Sequence, residues 1–379
     1  MNIPVTKPVL GEEEIKAVAE RLLGGWVVQG PKVREFEETF ATYSGTRFAK
    51  ATTSCTTALH LALICLGIGP GDEVIVPALT YVATANSVVY CGATPVFVDI
   101  ELGTFNIDVA KIEAKITPRT KAIMPVHEFG LAADMDAIMA LANRRGIPVI
   151  EDAACATGTR YKGRHVGGFG KLACFSFHPR KAITSGEGGM ITTDDEAFNA
   201  RIEVLRSHGA SMSDLARHEK GGAGFVLPDF DELGFNYRMT DIQAAIGVEQ
   251  MKKLPWIHSA RRDRAARYTK LLAGIRGLTL PTEPDGYEHA YQSYVTVVEE
   301  SHEARDRIAL ALQAKGIATR QGTHAVHALG YYKTKFGTKP EDCPIALKAD
   351  HQSMTLPLYA TMTDEEQDYV VRHVKETMS

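Results

Sequence analysis

In the segment FSFHPRKAITSGEGGMITT an apolar run leads into Lys181, and a Gly-rich turn and a second apolar run follow it. Lysines kept for solubility sit on solvated helix faces. One placed between two core strands is desolvated, its pKa is lowered, and its amine is readied for carbonyl chemistry. The long stem could equally carry the ammonium out to water, so Lys181 alone leaves both readings open. The second group is VIEDAACA, an apolar strand that ends on Glu151 and Asp152. Alternation sends the two carboxylates to opposite sides of the strand. A carboxylate at a strand C-terminus faces the ligand crevice of an open α/β sheet, and Asp152 is the candidate for that place. Its plain alternative is a helix N-cap.

In ATTSCTTALHLALICLG, small hydroxyl residues run into an apolar helix with Leu59, Leu63 and Leu66 on one stripe. The first turn of a helix exposes unpaired N–H groups and positive dipole potential, which suit a phosphate dianion. Cys55 and Thr56 would offer their amides and Thr56 its hydroxyl, although a well-capped helix needs no ligand. Tyr81 follows a strand that ends at Pro77 and could lay its ring on a planar cofactor, or simply fill the core. A lysine for a Schiff base, an anion for a protonated pyridine nitrogen, a phosphate site and an aromatic face are together the needs of pyridoxal 5'-phosphate (PLP).

These groups must be positioned by a sheet. From about residue 30 to 250, apolar runs (73–77, 94–100, 121–127, 147–152, 172–177 and 188–193) alternate with helix-period segments (56–67, 107–115, 134–145, 197–207 and 240–253). That alternation predicts an α/β domain with a mixed, mostly parallel sheet. A Pro-containing stretch at Leu254-Pro255-Trp256 is read as opening a further long helix, after which YQSYVTVV, a helix near 302–315 and a last helix from Thr363 predict a smaller α+β domain. The division expected is a large cofactor-binding domain over 1–253 and a C-terminal domain over 254–379. The stretch 221–236 has no period and reads as an irregular excursion.

The 379 residues are 45% hydrophobic and 23% charged, the make-up of a globular chain with room for a large core. With 42 basic and 46 acidic residues and no basic stripe, nucleic acid is not an expected partner. No run of about 18 apolar residues and no signal-like start are present, which predicts a cytoplasmic protein without a membrane partner. Six scattered cysteines without a C-x-x-C pair fit reduced thiols. His324 and His327 are too few to hold a metal, and no G-x-G-x-x-G follows the first strand, which sets aside a Rossmann oxidoreductase.

Taken in order, the helix start at 54–56, LTY, EDAA and FSFHPRKAITSGEGG resemble the DegT/DnrJ/EryC1/StrS sugar aminotransferase family of fold-type I PLP enzymes. The resemblance extends to GGWVVQGPKVREFEETFA, GIGPGDEVIVPALTYVATANSV, GATPVFVDI, LGFNYRMTDIQAAIG and LPLYATMTDEEQ. Within the family the stretch from GIGPGDEVIVP to TFNID is similar to perosamine synthases, which aminate C4 of a GDP-linked 4-keto-6-deoxy sugar. The resemblance implies that Lys181 forms the internal aldimine, Asp152 pairs with the pyridinium, Tyr81 lies against the ring and Ser176 binds the phosphate. It implies that Asn236 of GFNYRM reaches the cofactor of a neighbouring subunit, so that a homodimer shares its active sites. Arg238, Glu187 and His327 are candidate substrate contacts on the same grounds. The implied reaction takes an amino group, from glutamate as donor, to a nucleotide-linked keto sugar, with pyridoxamine 5'-phosphate between the half-reactions.

Three positions depart from the family pattern. Cys155 stands where EDAAQA-type sequences have a Gln that meets the cofactor's phenolic oxygen, and a thiol is a weak donor. Cys55 replaces the Gly of the phosphate turn, so a Cβ crowds it. His127-Glu128-Phe129-Gly130-Leu131 replaces His-x-Tyr-Gly-Gln. The alternatives are an aminotransferase for a keto-inositol or other keto sugar, a pyridoxamine-dependent sugar dehydrase, and a binding protein that retained the architecture. In the dehydrase His takes the place of the lysine, so Lys181 argues against it. Lys181 and Asp152 together argue against the binding protein.

Overall fold

The Val- and Ile-rich runs become strands of one layered sheet in the computed structural model, which describes residues 1–212, 215 and 228–378. In chain order these strands are β1 (Phe48–Thr52), β2 (Glu73–Pro77), β3 (Thr94–Val98), β4 (Thr120–Ile123), β5 (Ile150–Asp152), β6 (Leu172–Ser176) and β7 (Gly189–Thr193). Two groups, ordered β1-β7-β6-β5 and β3-β2-β4, meet where the bridges Ile123↔Val149 and Val126↔Asp152 join β4 to β5. β2 runs parallel to β3 and β4, and β5 parallel to β6. β7 alone is antiparallel to its neighbours β6 and β1. The sheet is therefore mixed and mostly parallel. Every residue of β2, β6 and β7 is buried, as strands covered by helices on both faces must be.

Alternation along β6 decides what each face does. Phe175 and the following Phe177 point to one side, where they meet Phe40 at ring distances of 4.9 and 5.6 Å. All three rings are fully buried, each worth about 1.5–3 kcal/mol of apolar transfer. Ser176 is left to the other side, at the strand's C-terminal edge. The aromatic cluster thus anchors the strand whose end carries the chemistry.

The helices Cys55–Cys65, Met135–Arg145 and Glu196–Leu205 lie close to the expected spans, while 107–115 becomes a short helix, Val109–Ile112, and a 3-10 turn, Glu113–Lys115. Glu12–Gly24, Pro31–Ser44, β1 and Ala83–Tyr90 are elements the apolar alternation did not single out. A larger difference concerns Pro255. Instead of two helices meeting at Leu254, one helix runs from Asp241 to Leu272 with Pro255 inside it. Proline removes one i→i−4 bond, a cost of about 3 kcal/mol. Leu254 and Ile257 on either side are fully buried, so tertiary packing holds the helix together across the gap.

The expected division at 253/254 therefore falls within a helix. Its C-terminal half, with Ala265, Tyr268 and Leu272, joins a separate core with Tyr294, Leu312, Leu356 and Val370. That core covers the antiparallel strands Leu278–Thr279, Tyr294–Val298 and Ser353–Leu356 with the helices His302–Ala314 and Asp364–Met378, the smaller α+β unit. Ile3, from the other end of the chain, packs in the same core and bridges to Ile317. Of the excursion at 221–236, residues 221–227 lie outside the described residues, and 228–236 contains only isolated bridges at Phe230 and Asn236. No described helix is long and apolar enough to cross a membrane.

Candidate active site

The candidate residues converge because their strands end along one edge. Gly189, the first residue of β7, is registered with Ser176 of β6 on one side and Thr52 of β1 on the other. Just past Thr52 the chain turns into the helix Cys55–Cys65, so the helix start and Ser176 flank the same glycine. A Cβ on Gly189 would stand 2.4 Å from the Ser54 carbonyl carbon and 2.6 Å from the Cys55 nitrogen. Only glycine allows this approach. Ser54 caps the helix by accepting from the Thr57 amide at 3.2 Å, and Thr57 returns the bond to the Ser54 amide at 3.1 Å. The cap leaves the first-turn amides of Cys55 and Thr56 without an intrahelical partner. The Cys55 side chain is buried in the main core, and burial pushes its thiol well up.

Asp152 ends β5 beside this edge, 3% exposed. One carboxylate oxygen accepts from the Thr84 hydroxyl at 2.7 Å and the other from the Ala154 amide at 3.1 Å. Thr84 is tied in turn to Thr80 at 2.8 Å. Burial raises the carboxyl above its ordinary value against the pull of these bonds and of Lys181. Among the described residues Asp152 has no ion pair. A buried carboxylate that is hydrogen-bonded yet lacks a cation suits a protonated ring nitrogen.

Glu151 does point the other way. Its oxygens accept from the amides of Gly167, Phe169 and Gly170, each at 2.8 Å, and from His127 Nε2 at 3.1 Å. His127 Nδ1 accepts the Ala133 amide, so Nε2 carries the proton and donates. These bonds hold the Glu151 carboxyl below the usual range although burial pushes it up. Glu151 is a clamp on the loop after β5, not a ligand group.

Lys181 sits in the loop between β6 and β7, closed by the Phe177 amide on the Gly188 carbonyl at 2.9 Å and by Thr184 on the Phe177 carbonyl at 2.8 Å. Its Nζ lies 3.1 Å from Cys155 Sγ. The expected depression of its pKa is not found. Burial pulls the ammonium down and is the largest single effect, but Cys155, Cys55 and Asp152 together outweigh it and the group is raised. Burial also pushes the Cys155 thiol up, against the pull of Lys181.

Tyr81 is 61% exposed, its ring open rather than packed in the core. Asn236 is exposed and pairs through its backbone with Ser207. Arg238 is partly buried and makes no ion pair among the described residues. Glu187 is exposed, 3.9 Å from His178 Nε2. His327 follows the short strand His324–Ala325, which pairs with Leu79–Thr80 just past the end of β2. It is fully buried, with Nε2 3.1 Å from the Pro340 carbonyl and its ring 6.2 Å from that of Phe97. Phe97 and the Pro340 carbonyl enclose the ring, which has no exposed surface in this structure. Two polar residues escaped the sequence reading. Thr84 carries a weak signal, one helical turn after Tyr81, and Glu128 none beyond its place in the motif around His127.

The DegT/DnrJ/EryC1/StrS aminotransferase family model matches residues 8–375. The spore coat polysaccharide biosynthesis protein SpsC of Bacillus subtilis is 42% identical, over 99% of this chain and 96% of its own length. Spr1654 of Streptococcus pneumoniae in its PMP form superposes with a TM-score of 0.93 at 32% identity, over 100% of this chain and 98% of that one. PseC of Helicobacter pylori, an aminotransferase in pseudoaminic acid biosynthesis, gives a TM-score of 0.92 at 27% identity, over 100% and 99%. An unbroken match over almost every residue, on a fold that brings Lys181, Asp152, Ser176 and the helix start at Cys55 to one sheet edge, shows that the chain belongs to the DegT/DnrJ/EryC1/StrS aminotransferase family.

Proposed function

We propose that this aminotransferase uses PLP to carry an amino group from glutamate to the keto carbon of a nucleotide-linked 4-keto-6-deoxy sugar. The observation that carries the reading is the Lys181 amine, 3.1 Å from Cys155 Sγ, beside the sheet edge on which Asp152 and Ser176 end their strands. Spr1654, which shares the fold, is known in both PLP and PMP forms, and SpsC serves polysaccharide biosynthesis. When bound, PLP supplies an electron sink for the carbanion left when a proton departs.

In this reading Lys181 binds the cofactor, and Asp152 holds its ring nitrogen protonated. The amides of Cys55 and Thr56 with the Ser176 hydroxyl receive its phosphate. Tyr81 covers one face of the ring. Once freed, the Lys181 amine moves the proton between the amine-bearing carbon and C4' of the cofactor, one base serving both half-reactions. Arg238 and Glu187 face the acceptor, and a nucleotide diphosphate far from the reacting carbon provides remote binding energy. Asn236 completes the phosphate site of a second copy in a homodimer. The exposed apolar residues Leu23, Val28 and Leu233 are surface that such a partner would cover.

The test is spectroscopic. Glutamate should bleach the visible band of the purified holoenzyme and a nucleotide-linked 4-keto-6-deoxy sugar should restore it. Restoration by a keto-inositol and not by keto sugars would overturn the substrate assignment.

A further inference from the structure

Glu128 is a carboxyl the mechanism above does not use. It follows β4 and is only 4% exposed, with Oε2 buried and without a hydrogen-bond partner among the described residues. Its backbone is fixed: the amide donates to Asn106 Oδ1 at 2.9 Å, and Asn106 Nδ2 donates to the Leu131 and Ala132 carbonyls. The next residue, Phe129, is held at φ +54°, a strained conformation for a residue with a side chain. A buried, unsatisfied oxygen on a clamped, strained turn calls for an explanation.

The sheet order supplies one. β4, β5, β6 and β7 lie side by side, with Glu128 just past β4, Asp152 and Cys155 at the end of β5, and Ser176 and the phosphate-type helix start at β6 and β7. Glu128 opens the 3-10 turn that follows, and Asp152, Lys181 and Cys155 all lie close enough for their charges to act on its carboxyl or it on theirs. On the pyridoxal ring the phenolic oxygen and the phosphate arm flank the carbon that meets the lysine, on opposite sides, with the ring nitrogen across from it. If Lys181 and Asp152 fix that axis and the phosphate lies toward β6 and β7, the phenolic oxygen faces β5 and β4. There the structure offers Cys155, a weak donor, and Glu128. We propose that the Glu128 carboxyl donates the hydrogen bond to the cofactor's phenolic oxygen.

Donation requires the acid form. Burial pushes Glu128 up to about 8, with Asp152 adding to the rise and Lys181, the Phe129 amide and Arg320 opposing it. At neutral pH the carboxyl therefore carries its proton and has one to give.

This inference rests on PLP lying between Lys181 and Asp152, and the experiment separates the two. One sample of wild-type holoenzyme is reduced with borohydride to show the cofactor on Lys181, and the pH midpoint of the visible band of unreduced holoenzyme is compared with those of Glu128→Leu and Glu128→Gln. Without a donor, more negative charge remains on the phenolic oxygen, which then holds the proton shared with the Lys181 nitrogen more tightly. The expected result for Glu128→Leu is a midpoint raised by about one unit or more, as for the loss of one charge-assisted bond. Glu128→Gln, whose amide still donates, should stay within a few tenths of a unit. A midpoint unmoved in Glu128→Leu overturns the proposal and leaves Glu128 facing only the small cavity it lines with Phe105 and Ser293. A lowered midpoint in Glu128→Gln also overturns it, because that shift reports the loss of an ionised carboxylate. Absence of the band or of the Lys181 adduct in the wild type refutes the cofactor placement itself.

Discussion

Thr84→Val removes a single hydroxyl from the buried chain that supports Asp152 and leaves the side chain's shape. The bond lost is 2.7 Å long, fully enclosed and made to a carboxylate, so its removal is expected to cost about 1.5–3 kcal/mol in the ionised state of Asp152. Each 1.36 kcal/mol is one pKa unit, so the carboxyl, already raised by burial, rises by roughly one to two units more. The carboxylate that holds a protonated ring nitrogen is destabilised by the same amount. The cofactor-free protein escapes that cost only where Asp152 takes up a proton, so the dissociation constant for PLP should rise toward acid pH, by up to about a hundredfold below the raised carboxyl pKa, read by absorbance titration of the cofactor-free protein across pH. Thermal unfolding of that protein shows whether the fold is intact, and Thr84→Ser should restore binding. A Thr84→Val protein that binds PLP within twofold of wild type across that range would refute the reasoning that Asp152 meets the ring and that Thr84 sets its charge.

Other residues give shorter tests. Gly189→Ala puts a Cβ 2.4 Å from the Ser54 carbonyl carbon, so the helix start must shift; PLP binding should weaken at least tenfold, checked by the same titration. Glu151→Gln replaces one of two acceptor oxygens that serve four donors, and a loss of about 3 kcal/mol should appear in urea unfolding. Its folded pKa is depressed, so the stability it contributes is present above the carboxylate range and lost as pH falls; the variant should flatten that acid limb. Glu128 has the opposite sign. With its pKa raised to about 8, it stabilises the cofactor-free protein below about pH 4.5, an advantage lost as pH climbs toward 8; Glu128→Gln should remove that slope from unfolding measured across the range.

Much of the sheet, and the strand ends on which several candidate site residues sit, were legible in the sequence because they follow from short-range rules. Short Val- and Ile-rich runs gave the strands, and strand alternation was enough to separate Asp152 from Glu151, whereas Ser176 entered through the family resemblance and its separation from Phe175 and Phe177 through the fold. What was not legible depends on contacts between distant segments. The Thr84 hydroxyl finds Asp152 across 68 residues, and no local pattern announces that bond. Pro255 reads as a helix boundary, yet the packing of Leu254 and Ile257 carries the helix through it. For Lys181, burial alone predicts a lowered pKa, and the reversal comes from Cys155, Cys55 and Asp152, which only the fold assembles. His327 matched a family motif in position but lies beneath the surface, because Phe97 and the Pro340 carbonyl enclose it.

The central claim is that the Lys181 amine holds the cofactor, and peptide mapping of the borohydride-reduced holoenzyme tests it most directly. A pyridoxyl adduct on Lys181, absent from Lys181→Ala together with the visible band, is the predicted result. An adduct on another lysine, or a visible band that survives in Lys181→Ala, would contradict the account.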